Sequence, residues 1–248
     1  MGGVINFIKY IIVFFVGIFF GWFNHVIIKN LSEEKPFGKN WFHEKSSTIE
    51  FKCLTYSPKS LLLEIVTGVV FVILYSKYSI TADFFFFAYL MIILIIMFFI
   101  DLKTKTIPNE LVVAGLIGGL AVFTYNIFLP LSIYGSKKWW EPLLGLLPGS
   151  GVLFLIAILG MIIYKSDEVM GMGDVKIFAP IGIFLGWKMC LLTLVVSIFL
   201  GGFSSILLIL FRIKKRKDVI PFGPFIAIAV FITILFGNNI WEWYFSWL

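Results

Sequence analysis

Two aspartates stand where their presence is hardest to dismiss: Asp101 in "MFFIDLKTKTIPNEL" and Asp174 in "MGMGDVK". Asp101 closes an apolar run that continues unbroken from Phe84 to Ile100, and Pro108 marks the start of the next helix shortly after it. Ahead of Asp174, Gly171 and Gly173 flank a single residue. That spacing permits a positive φ and a close backbone approach just before a helix begins. A carboxylate beside hydrocarbon is unfavourable and needs a reason. Two carboxylates brought together in a partly dehydrated place cannot comfortably both ionise, so the pair shares a proton. The ionised partner can then take a proton from water while the protonated one polarises a carbonyl, which is the chemistry of an aspartic protease. Other nucleophiles are missing. His25 and His43 lie together near the N-terminus, Ser166 has no base beside it, and Cys53 and Cys190 form no C-x-x-C pair. Either aspartate alone would read as an ordinary helix-end residue favoured by the helix dipole. The pair is what points to chemistry.

The elements that must position them are written in the composition. Of 248 residues, 60% are hydrophobic and 14% charged, with a mean hydropathy of +1.01. A soluble domain carries roughly a quarter charged residues. Apolar runs of roughly 17 to 25 residues recur throughout, so the expected fold is an all-α polytopic membrane protein. A β-barrel would show short alternating segments instead. About eight spans fit: 4–28, 61–76, 84–100, 111–131, 143–164, 175–187, 189–211 and 219–237. The sixth is short and contains Pro180 and Gly182, so 175–211 reads either as two spans or as one broken element; Gly186-Trp187-Lys188 is the ground for dividing it. The first run exceeds a signal-peptide core and has no small-residue cleavage site, which makes it a retained span. A natural division places the first helix and the loop after it in residues 1–60, and the remaining spans in 61–248.

Basic residues set the expected orientation. Fifteen lie in the loops 29–60, 101–110, 165–174 and 212–218 or beside them, against four on the other side: Lys77, Lys137, Lys138 and Lys188. The larger group belongs in the cytoplasm. Both termini then face outward, and Asp101 and Asp174 share the cytoplasmic side at similar depth. The run "RIKKRK" reads as a topological signal, so no nucleic-acid partner is expected despite the net charge of +6. An ion-coupled transporter would hold acids near the middle of its spans, often in repeated halves. Here the acids sit at span ends, and no repeat is visible.

Taken together, these residues resemble the type IV prepilin peptidases, the G-x-G-D family of intramembrane aspartic proteases. "FIDLKTKTIPNEL" is similar to the family's first aspartate segment and "MGMGDVK" to its second, including Lys176 two positions beyond Asp174. "IPFGPFIAIA" resembles the last-helix signature, "GWFNHVIIKNL" an N-terminal segment, and "SPKSLLLEIVTG" the start of span two. Presenilin-type proteases share the G-x-G-D idea but carry Pro-Ala-Leu, which does not occur here. The resemblance implies that Asp101 and Asp174 are catalytic, and that Gly171, Gly173 and Lys176 form the loop that presents the second aspartate and meets substrate. It implies removal of a short basic leader from prepilins or pseudopilins at the cytoplasmic face of a bacterial inner membrane. A scaffold for pilus assembly would keep the fold without needing either aspartate.

Two departures bear on cofactors. Many members carry two C-x-x-C pairs in the first cytoplasmic loop, resembling a structural zinc site. This loop has Cys53 alone, with Tyr56 in the second position of the later pair, so zinc is not expected and the metal set is empty. Many members also methylate the new N-terminus with S-adenosylmethionine. The missing cysteines leave that activity open here, while proteolysis itself requires no cofactor. Oligomeric state is not legible, because packing glycines occur both within and between chains.

Overall fold

A computed structural model describes residues 2–32, 58–134, 138–164, 171–215, 218 and 220–247. Cys53 and His43 of the first loop, and Asp167 and Glu168 ahead of the second aspartate, lie outside the described residues. Every long element is a helix, since in hydrocarbon the backbone groups of a segment must pair within it. In chain order these are α1 (Gly2–Ser32), α2 (Pro58–Tyr78), α3 (Ala82–Thr104), α4 (Asn109–Phe128), α5 (Glu141–Leu144), α6 (Val152–Tyr164), α7 (Met172–Leu210) and α8 (Gly223–Phe245). A 3-10 turn, Ser132–Tyr134, precedes α5, and a π-helical turn, Leu147–Gly151, joins α5 to α6. No strand occurs among the described residues. Among the described residues, seven elements are long and apolar enough to cross a membrane, α5 to α6 acting as one. The chain is an all-α polytopic membrane protein.

It divides into two compact units, Met1–Ser76 and Lys77–Leu248. In the first, α1 and α2 pack through glycine. A Cβ at Gly17 would come within 2.7 Å of Gly68 Cα, and one at Gly21 within 2.6 Å of Glu64 Cα. Small residues allow this close approach where no hydrophobic force drives helices together in lipid. Ring pairs Tyr10–Tyr75 and Phe20–Phe71, with centroids 5.2 and 5.8 Å apart, flank the seam.

In the second unit, Phe87, Leu94 and Met97 of α3, Phe178 and Phe184 of α7 and Val230 of α8 are each 0% exposed and form the core. The α7 element has 39 residues. Straight, it would be roughly 58 Å long, about twice the ~30 Å hydrocarbon thickness. Instead it breaks at Gly186, where φ is 73° and ψ 172°. Contacts with α8 show where each half goes. Trp187 stacks edge-on with Trp241 at 6.3 Å, and Met189 closes on Gly237, both near the end of α8. Gly201 faces Phe222 and Phe225 at its start. At the other end of the element, Asp174 lies in the field of Asp101, which is itself bonded to the first residue of α8. The element therefore runs away from the aspartates, turns back at Gly186 and returns, so its two halves lie side by side along α8.

The expected division at Gly186-Trp187-Lys188 coincides with this break. Pro180 and Gly182, expected to interrupt the sixth span, do not. Pro180 is buried in continuous helix with Gly115 beside it, and a Cβ at Gly182 would fall 2.1 Å from the Gly145 carbonyl oxygen. Both positions serve close packing: Gly115 leaves room for the proline ring, and Gly145 and Gly182 let two backbones touch. The last helix also outruns its expected end, continuing through Trp241, Trp243 and Tyr244.

Tyr134 braces the turn. Its hydroxyl donates to the Ile183 carbonyl at 2.7 Å, and its ring fills the space that a Cβ on Gly186 would take. Burial, with the Asp83 and Glu141 charges adding to it, holds this phenol well above its usual pKa, so it stays a donor.

Candidate active site

Three chain segments converge on the two aspartates. The first is the end of α3. Asp101 lies in its last turn, continuing the apolar face of Met97 and Ile100, and is 4% exposed. The helix closes four residues later, where Lys105 takes a left-handed cap at φ 56° and its N–H donates to the Asp101 carbonyl at 2.9 Å. The Thr104 hydroxyl donates back to the Ile100 carbonyl at 3.0 Å. Residues 105–108 then lead to Pro108, which caps α4 and cannot itself donate a backbone hydrogen bond.

The second segment is the start of α7. Gly171 is its N-cap, and the Asp174 N–H donates to the Gly171 carbonyl at 3.0 Å, which sets Asp174 in the first turn. The two glycines act by size and not by a left-handed conformation. Gly171 has φ −62° and ψ 111°, and Gly186 is the only glycine with positive φ among the described residues. A Cβ on Gly171 would lie 2.9 Å from Asp174 Oδ2. One on Gly173 would lie 3.0 Å from Ile107 Cβ, so the α3–α4 connection packs directly on the second aspartate's turn. The positive φ expected at these glycines does not occur; what they provide is room for close packing.

The third segment is the start of α8, where the sequence alone points to no site residue. The Gly223 N–H donates to Asp101 Oδ2 at 2.8 Å, across 122 positions of sequence. A Cβ there would stand 2.7 Å from that oxygen, so only glycine fits without displacing the carboxylate. The signal for it is a glycine between Phe222 and Pro224 at the opening of a helix, but nothing local says that its amide faces a residue so distant.

Asp101 and Asp174 are thus brought together, and Asp174 lies in the electrostatic field of Asp101. Gly171 and Gly173 are adjacent. Lys176 is not directed at either carboxylate: it is exposed, and its ammonium donates to Asn109 Oδ1 at 3.1 Å, linking α7 to the start of α4. No group of three or more His, Cys, Asp or Glu side chains able to hold a metal occurs among the described residues. Cys190 is buried in α7, and the acids of the α1–α2 unit belong to the other body. Chemically, the arrangement offers two carboxyl groups of unequal surroundings at the mouth of a helical bundle, one buried and one half-buried.

Residues 88–206 match the type IV leader peptidase family, a stretch that includes both aspartates. The chain is similar to the prepilin leader peptidase/N-methyltransferase of Aeromonas salmonicida (strain A449), 33% identical over 154 residues, which are 62% of this chain and 50% of that protein. The protein of that name from Aeromonas hydrophila is 34% identical over 152 residues, 61% of this chain and 49% of its own. That of Bacillus subtilis (strain 168) is 28% identical over 186 residues, 73% and 67% respectively. The chain spans about half the length of the two Aeromonas relatives. No solved structure matches it.

Proposed function

Since residues 88–206 match the type IV leader peptidase family, we propose that this multi-pass membrane protein is an aspartic endopeptidase that removes a short basic leader from prepilins or pseudopilins. The observation that carries the reading is the convergence of Asp101 and Asp174 from separate helices at one end of the bundle. One carboxyl holds the shared proton and donates to the scissile carbonyl; the other, ionised, takes a proton from the attacking water. The glycines at 171 and 173 leave the backbone low, so an extended peptide can approach where a helical one would hide its carbonyls.

The charge distribution supports placing this end in the cytoplasm of a bacterial inner membrane. A leader and a hydrophobic segment meet at that depth when a substrate helix leaves the bilayer. Lys176, held by Asn109, acts in this reading by fixing the loop. Proteolysis needs no metal or organic cofactor.

The relatives' names also carry N-methyltransferase, and methylation would use S-adenosylmethionine. One groove on the first unit offers such a ligand few polar partners. It is lined by Tyr10, Ile11, Phe14, Val69, Val72 and Ile73. That surface is almost wholly apolar and has little to pair with a nucleoside or an amino-acid group.

The test is cleavage in membranes of prepilins with basic leaders, followed by gel shift and by mass spectrometry of the product's N-terminus. Cleavage directly before the hydrophobic segment is expected. Failure to cut any of several such substrates overturns the reading, and a product heavier by one methyl group establishes methylation.

A further inference from the structure

We propose that the first turn of α8 sets the division of labour between the aspartates: the Gly223 amide holds Asp101 as the ionised member that activates water, leaving Asp174 to carry the proton. The inference rests on the aspartic-protease reading and deepens it.

The donor inventory of that turn is short. A helix leaves its first N–H groups without partners within the helix, and these are usually met by a side-chain cap. Phe222, the N-cap of α8, supplies none. Pro224 has no N–H to give. The amides of Phe225 and Ile226 both donate to the Phe222 carbonyl, at 3.0 and 3.2 Å. Gly223 therefore holds the one uncommitted N–H of the turn, and it is spent on Asp101 Oδ2 at 2.8 Å. In effect, a carboxylate from α3 caps α8.

Two consequences follow for the proton. An N–H donates more strongly to a carboxylate oxygen than to either oxygen of the protonated acid, so a bond of this kind favours the charged form. The positive end of α8 acts in the same direction. Asp174 also lies in the first turn of a helix, so the dipole alone does not separate the two. The direct bond does, because no hydrogen bond reaches the Asp174 carboxyl among the described residues. With Oδ2 of Asp101 fixed, its Oδ1 is the oxygen free to take a proton from water. Asp174 is the member that rotates and donates.

Gly223 is on this account a positioning residue: it touches Asp101, not substrate. The experiment replaces it by its α-hydroxy acid, converting the amide to an ester in the full-length chain in membranes. This removes the N–H and adds no bulk. The same ester at Ile226, whose N–H serves only the helix, controls for backbone damage, and Gly223→Ala tests the same point by displacement. Removing a hydrogen bond to a charged group should lower kcat about 10- to 100-fold with KM within about 3-fold, while the Ile226 ester retains near-parent kcat. Parent-like kcat in either the Gly223 ester or Gly223→Ala overturns the proposal, as does an equal loss in the Ile226 ester. Asp101→Asn separates this from the underlying reading: if it still cleaves, the dyad itself is wrong, whatever Gly223 does.

Discussion

Gly186→Ala should test the reversal of α7 most sharply. The backbone there, at φ 73° and ψ 172°, lies in a region open almost only to glycine. Forcing alanine into it costs about 1 to 3 kcal/mol. The new Cβ would also stand 2.7 Å from Tyr134 Cδ1, so the ring must move and its 2.7 Å bond to the Ile183 carbonyl is strained or lost. A lost hydrogen bond of this kind adds about 0.5 to 1.5 kcal/mol. Together these give a destabilisation of about 1.5 to 4.5 kcal/mol. Unfolding of the purified protein in mixed detergent micelles measures it, with Tyr134→Phe run beside it to isolate the hydroxyl. Tyr134→Phe alone should lose about 1 kcal/mol. The backbone contribution should survive when both changes are combined. If Gly186→Ala lies within about 0.5 kcal/mol of the parent, the range of an ordinary surface change, the turn is not where we place it.

Three further outcomes follow from the same geometry. Gly173→Val should reduce kcat about 100-fold, because its side chain must push Ile107 aside and a shift of the order of 1 Å at a catalytic group has that effect; Gly173→Ala should fall between it and the parent in the same cleavage assay. Lys176→Met should change kcat/KM by less than about 3-fold, as expected for an exposed link to Asn109 of small energetic weight; a loss of 100-fold or more would return Lys176 to direct contact with substrate. Cys190 is 0% exposed. In a Cys53→Ala background it should stay unmodified by a membrane-permeant maleimide until detergent unfolds the chain, and rapid labelling in native membranes would contradict its place between α7 and the π-helical turn.

Much of this was legible in the residues because the bilayer restricts the choices. Hydropathy placed the span ends within about four residues except at the end of the last helix, since a segment in hydrocarbon has few ways to satisfy its backbone. The break in α7 could be located because Gly186 precedes a tryptophan and a lysine, the types that gather at interfaces. Pro180 misled for a physical reason: proline removes one hydrogen bond, and tight packing at Gly115 leaves the helix intact around it. The glycines beside Asp174 were found, but whether they served by positive φ or by small size depended on Ile107, a residue of another segment. Gly223 was out of reach altogether. Its role is to donate to a carboxylate 122 positions away, and no local pattern encodes the partner of a backbone amide. Lys176 stands out in sequence by its place beside Asp174, but its partner Asn109, 67 positions away, could not be read there.

The most direct test of the central claim is single-turnover cleavage of a basic-leader prepilin by Asp101→Asn and by Asp174→Asn, each at the parent's level in membranes. The account predicts that each change alone abolishes cleavage while substrate still binds, since both carboxyls are needed to pass one proton. Substantial cleavage surviving in either variant would contradict it.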